Sequence, residues 1–160
     1  MTLTLLIKPL SITDAKQILQ WRYDGDYRMY NLETDDLDAE AKCLTDPNNH
    51  FYGVYVGSEL IGHAVFYTEA RVPGGSYDAD ALDIGVGMRP DWTGQGHGAK
   101  VIAQILTFAK ERYQPKAFRA TIARWNHRAQ KATQKNGFKI VSSFKATHTG
   151  KEFVILMSDS

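Results

Sequence analysis

The sequence predicts an α/β protein of the α+β kind: a central, mixed, mostly antiparallel sheet of about seven strands with four helices. Three observations carry this expectation. β-rich runs recur along the chain, two of them joined by the hairpin signal Gly57-Ser58. One long amphipathic run, about Gln95 to Arg112, lies between two such runs and makes a single strand–helix–strand unit. No repeat, low-complexity tract or linker divides the chain, so residues 1–160 read as one domain, long enough for a core.

The expected order is β-α-α-β-β-β-α-β-α-β-β. Leu3 to Lys8 is a short apolar run closed by Pro9, a first strand. Thr13 or Asp14 can cap a helix that runs through Trp21, with Ile18 and Leu19 on one face. Thr34-Asp35-Asp36 caps a second helix carrying Leu37, Ala41 and Leu44, stopped by Asp46-Pro47. Phe51 to Val56 and Glu59 to Tyr67 form the hairpin, and Asp80 to Met88 forms a fourth strand. In the long helix, Val101, Ile102, Ile105, Leu106 and Ala109 follow the i, i+3, i+4, i+7 template. Ala117 to Ala123 is a fifth strand, and Asn126 starts a short helix ending at the left-handed pair Asn136-Gly137. Phe138 to Lys145 and Lys151 to Met157 complete the sheet.

Composition narrows the function by exclusion. A net charge of +1 gives no electrostatic reason to expect a nucleic-acid or membrane partner. The single cysteine excludes an internal disulfide and a Cys-rich metal site. The five histidines show no metal spacing, so no metal is expected. Met1 to Lys8 has no basic leader and no small-residue cleavage site, which makes a cytoplasmic protein the expectation.

The most telling stretch is Thr93-Gly94-Gln95-Gly96-His97-Gly98. Three glycines at alternate positions leave backbone N–H groups uncovered where a helix begins and its dipole is positive. Such a place accepts a phosphate or pyrophosphate. Gly94 to Ala99 satisfies the dinucleotide pattern G-x-G-x-x-G/A, but the next strand ends at Ala123-Arg124-Trp125 with no ribose-binding acid. No Lys-Ser/Thr follows the last glycine, which excludes a P-loop.

Thr93 to Gly98 resembles motif A of the GNAT superfamily of N-acetyltransferases, R/Q-x-x-G-x-G/A, with Gly96 and Gly98 as its two small residues. Met88-Arg89-Pro90 is similar to that family's turn out of strand four. Asn126 to Phe138 is similar to its motif B, N-x-x-A…G-F. The resemblance covers nearly the whole chain and implies a GNAT-type fold and acetyl-CoA as co-substrate. It implies an amine acceptor, a small molecule or a peptide terminus, and it leaves a homodimer open.

The same resemblance implies site residues. The pyrophosphate would rest on residues 93 to 98 and the start of the helix: Thr93, Gly94, Gln95, Gly96, His97, Gly98 and Ala99. The pantetheine arm would pair with Val86 and Met88, and Met88 N–H would polarise the thioester carbonyl. Asn126 would contact the pantetheine end. Asp83, a carboxylate in an apolar strand, is the candidate general base, with Glu69 second. Two departures stand out: Thr93 replaces the usual Arg or Gln, and Thr133 replaces a tyrosine credited with protonating the thiolate. On the acceptor side, Trp21 to Tyr30 carries four aromatics; Tyr27, Tyr30 and Arg22 are the candidate contacts, while Trp21 reads as core. A non-catalytic acyl-CoA-binding module is the competing reading.

Overall fold

The computed structural model describes residues 3–159; Met1, Thr2 and Ser160, at the ends of the expected single domain, lie outside the described residues. Seven strands form one sheet: β1 (Leu6–Pro9), β2 (Phe51–Val56), β3 (Glu59–Phe66), β4 (Leu82–Met88), β5 (Ala117–Ala123), β6 (Lys139–Lys145) and β7 (Glu152–Asp159). Four α-helices accompany them: α1 (Ile12–Gln20), α2 (Leu37–Thr45), α3 (Gly98–Tyr113) and α4 (His127–Gln134). The sheet order is β1-β2-β3-β4-β5-β7-β6. Every neighbouring pair is antiparallel except β4 and β5, which are parallel and joined through α3.

The expected element order holds, and the differences lie at element ends. β1 starts at Leu6 rather than Leu3 and includes Pro9, whose missing N–H is tolerated on an edge strand. Ser11, not Thr13 or Asp14, caps α1: its Oγ accepts from Asp14 N at 3.1 Å. Asp14 instead accepts the Tyr55 hydroxyl at 2.6 Å and so ties α1 to the sheet. α3 begins at Gly98, not Gln95, because Gly94 and Gly96 adopt φ of +72° and +81°, outside the helical region.

Two cores lie against the sheet. The larger contains the five α3 positions named above, packed with Val54, Phe66, Leu82, Ile84, Phe118 and Leu156. Burying each of Val101, Ile102, Ile105 and Leu106 contributes about 1.5–3 kcal/mol, so α3 is held by its apolar face rather than by its ends. The smaller joins α1 and α2 to Tyr55 and Leu60, and Trp21 packs at its margin as core. Strand alternation puts Leu82 and Ile84 into the large core and turns Asp83, Gly85 and Gly87 to the opposite face.

Candidate active site

The site starts where two parallel strands part. β4 and β5 are in register at Leu82–Phe118, Asp83–Arg119 and Ile84–Ala120, whereas β4 stays paired with β3 as far as Met88. Arg89 N donates to Ile61 O at 2.8 Å, so the strand turns that N–H toward β3. Alternation then directs the Val86 and Met88 N–H groups to the other edge, into the opening.

The opening leads to the start of α3. Arg89 is fixed there by Glu59 at 2.7 Å and Asp91 at 2.6 Å, and Pro90–Trp92 makes a tight 3-10 turn. The Thr93 N–H and hydroxyl both donate to Pro90 O, at 3.2 and 2.7 Å, and Gln95 Nε2 donates to Asp91 O at 2.6 Å. These two side chains therefore hold the turn, and the Thr93 N–H drops out of the expected cradle. His97 precedes α3 without a side-chain cap, its ring 4.7 Å from that of Trp92. The first helical bond runs from Val101 N to His97 O, which leaves the Gly98, Ala99 and Lys100 N–H groups without helical partners. No acidic side chain occupies the first turn. A Cβ at Gly96 would meet nothing, so the open surface there is main chain; at Gly98 it would come within 3.3 Å of Ala132 on α4. Asn136 Nδ2 donates to Ala99 O at 3.0 Å and locks the two helices together.

Asp83 has a structural place. Arg119 Nε and Nη2 donate to its two oxygens at 2.6 and 2.8 Å, and Arg71 Nε adds a third bond at 2.7 Å. Both Asp83 and Arg119 are only about 2% exposed as side chains. Taking up a proton would break charge-assisted bonds in a dry environment, so the geometry argues against the expected base role. The Asp83 bond in turn holds the Arg119 guanidinium above the usual arginine range. Thr133 is likewise committed, donating to Ala129 O at 2.8 Å within α4.

Asn126 caps α4: its Oδ1 accepts from Ala129 N at 3.1 Å. Its Nδ2 donates to the Tyr30 hydroxyl at 3.0 Å, so both ends of the amide are engaged inside the protein. Tyr30 belongs to the 3-10 segment Gly25–Tyr30, which is bonded to Trp125 and Asn126 just after β5. Three long-range bonds tie that region down: Tyr30 to Asn126, Tyr23 hydroxyl to Met88 O at 2.6 Å, and Trp125 Nε1 to Met29 Sδ at 3.2 Å. Burial pushes the Tyr23 phenol up to about 12, which keeps it a donor. Burial also raises Tyr30, with the Asn126 bond partly offsetting it. Tyr27 packs edge-on to Trp125 at 5.0 Å. Arg22 is spent on carbonyls at the end of α1, Leu19 O at 3.1 Å and Trp21 O at 2.8 Å, so its head group is directed at the helix end. A cavity of about 570 Å³ lies beside this segment, lined in part by Asp26, Met29, Trp125, Lys151 and Glu152.

Sequence reasoning missed His63. Its ring lies across β4: a Cβ at Gly87 would fall 2.1 Å from its Nε2, so Gly87 is required there. Trp21 covers the ring at 6.1 Å, and Nδ1 is enclosed without a hydrogen-bond partner. Burial lowers the imidazole to about 4. The Gly85-x-Gly87 spacing was the available signal, since glycines on alternate positions of one strand face make room for side chains from the next strand. Among the described residues no cluster suited to a metal ion occurs, and no helix is long and apolar enough to cross a membrane.

The sequence and the fold are both similar to those of known proteins. A family model described as acetyltransferase (GNAT) domain matches residues 4–139. The chain belongs to the GNAT acetyltransferase family. The N-alpha-acetyltransferase RimI of Mycobacterium tuberculosis (strain ATCC 25618 / H37Rv) is 30% identical over 67 residues, spanning 42% of this chain and 40% of that protein. A GNAT-family acetyltransferase from Bacillus anthracis superposes with a TM-score of 0.74 at 16% identity, covering 97% of this chain and 94% of that one. The N-acetyltransferase PseH of Campylobacter jejuni, solved with acetyl coenzyme A, gives a TM-score of 0.67 at 19% identity, covering 98% of this chain and 99% of that one.

Proposed function

We propose that the protein transfers an acetyl group from acetyl-CoA to a primary amine by direct attack in a ternary complex. The carrying observation is the opening after Ile84–Ala120, into which Val86 and Met88 turn their N–H groups. The opening ends on the free N–H groups of Gly98, Ala99 and Lys100. A chain of pantetheine amides ending in a pyrophosphate matches that sequence of donors in kind and order. The co-substrate supplies an acyl group already activated as a thioester. Gly94 to Ala99 would hold the phosphates, Val86 and Met88 would pair with the amides, and Met88 N–H would stabilise negative charge on the carbonyl oxygen.

The proton inventory favours a weakly basic amine. Neutralising a lysine amine at pH 7 costs about 4.6 kcal/mol, whereas an α-amino group costs about 1 kcal/mol. With Asp83 and Thr133 both engaged elsewhere, neither offsets the larger cost. A thiol leaving group with pKa of roughly 8.5 departs without a protein acid. An α-amino terminus or a similarly weak amine is therefore the acceptor of choice, entering through the cavity beside Trp125.

The same engagement of Asp83 and Thr133 favours a second reading, an acyl-CoA-binding module that does not turn over. One experiment separates the two. Calorimetric binding of acetyl-CoA is paired with free-thiol release across N-terminal peptides, polyamines and aminoglycosides. Binding with release for at least one amine class supports transfer, and fastest release with α-amino acceptors supports the preference. Binding without release for any of them leaves the sensor, and no binding removes both.

A further inference from the structure

Thr93 stands where the motif that the loop resembles has Arg or Gln, and its hydroxyl is turned back onto Pro90 O. A cation from another element lies against the next residue of the loop, Gly94. Arg128 lies in the first turn of α4, and its Nη1 is 3.0 Å from the position a Cβ would take on Gly94. Its guanidinium lies over the Tyr27 ring, 4.2 Å from the centroid. Among the described residues it forms no ion pair with a carboxylate, whereas Arg71, Arg89, Arg119 and Arg124 all do. A guanidinium stacked by its face keeps its N–H edge free, and that edge suits a phosphate oxygen pair better than a lysine does.

We infer that Arg128 is the side-chain ligand of the co-substrate's pyrophosphate and that Tyr27 holds it in position. The inference rests on the reading that the groove takes a coenzyme A thioester. It gives a loop whose first position is threonine a cation from another element, α4. It also gives Tyr27 a positioning part. Tyr27 packs on Trp125 beside the acceptor cavity. One guanidinium thus connects the phosphate loop to the wall that the acceptor meets. Lys131, Lys135 and Lys139 have no such contact with the loop and belong to the solvated surface.

The test is calorimetric binding of coenzyme A and of 3′-dephospho-coenzyme A to wild type, Arg128→Gln, Arg128→Lys and Tyr27→Leu. Thermal melting of each variant checks that it folds. Arg128→Gln should weaken both ligands by the same factor, on the order of ten- to thirtyfold, as for a lost charge-assisted bond. Arg128→Lys should restore only part of this, and Tyr27→Leu should lose about threefold on both ligands, the scale of one exposed cation–π contact. A loss confined to coenzyme A would move Arg128 to the 3′-phosphate and overturn the inference, as would binding within twofold of wild type. Failure of the wild type to bind either ligand would instead strike the underlying reading of the groove.

Discussion

One side of the β4–β5 groove is made of main chain, and the other is made of side chains that meet across long stretches of sequence. On the main-chain side, Val86, Met88 and Gly94 to Ala99 present N–H groups, and the side chains of Thr93 and Gln95 only brace the turn. On the aromatic side, Tyr23 reaches Met88 over 65 residues, and Tyr30 and Met29 reach Asn126 and Trp125 over 96. The first side should tolerate side-chain changes but not changes in backbone freedom. The second should show the reverse.

Asp83 offers the largest effect and a sharp boundary to this contrast, because it is a side chain on β4 that serves neither side. Asp83→Asn leaves Arg119 buried without its counter-ion and should cost about 3–5 kcal/mol, read from the denaturant midpoint. The fraction that remains folded should keep the wild-type pH–rate profile. A variant of normal stability with a shifted acidic limb would return Asp83 to the reaction and blur the division.

Gly96→Val tests the main-chain side itself. Gly96 has φ of +81° and open space around it, so valine meets no clash but cannot hold that backbone conformation. Binding of acetyl-CoA should weaken at least about a hundredfold, or ~2.7 kcal/mol, with little change in melting temperature. Gly98→Ala should be much milder, since its Cβ meets only the Ala132 methyl at 3.3 Å. Equal effects at the two glycines would mean that bulk, not backbone freedom, is what the loop excludes.

These two sides were unequally legible in the sequence. The main-chain side is written in local terms: the glycine spacing and Met88-Arg89-Pro90. Such signals survive without knowledge of the fold. The fate of Arg22, Asp83 and Asn126 was not local. Whether Asp83 is a base or half of an ion pair depends on Arg119, the residue beside it on the parallel strand, and β4–β5 register is set by packing rather than by nearby sequence. The same holds for Arg128, a member of an ordinary basic helix until α4 is set beside Gly94.

His63 lies on β3 beneath Trp21, which ends α1 at the start of the aromatic segment. Burial lowers it to about 4 from 6.5, so the unfolded chain binds one more proton between those values. Its contribution to stability is therefore unfavourable as pH falls through that window and vanishes above it. The loss should reach about 2 kcal/mol at pH 5 relative to pH 7. In His63→Phe the difference between denaturation free energies at pH 7 and pH 5 should shrink by that amount. An unchanged difference would mean that the ring is not enclosed and that the Trp21 side is loosely packed.

Thr93→Ala should have the smallest effect. The hydroxyl closes a bond to Pro90 O at 2.7 Å, and the Thr93 N–H donates to the same carbonyl at 3.2 Å. Deleting the hydroxyl leaves that carbonyl one donor, so the turn should lose about 1 kcal/mol or less in local stability. None of this removes the Gly98, Ala99 and Lys100 N–H groups or the positive end of α3 from the loop. Acetyl-CoA affinity in Thr93→Ala should therefore stay within about twofold of wild type, under ~0.4 kcal/mol, by calorimetry. A tenfold loss would show that the threonine turns from Pro90 to the ligand on binding. The main-chain side would then depend on a side chain after all, and the first position of the motif would act in this chain through its own hydroxyl rather than through Arg128.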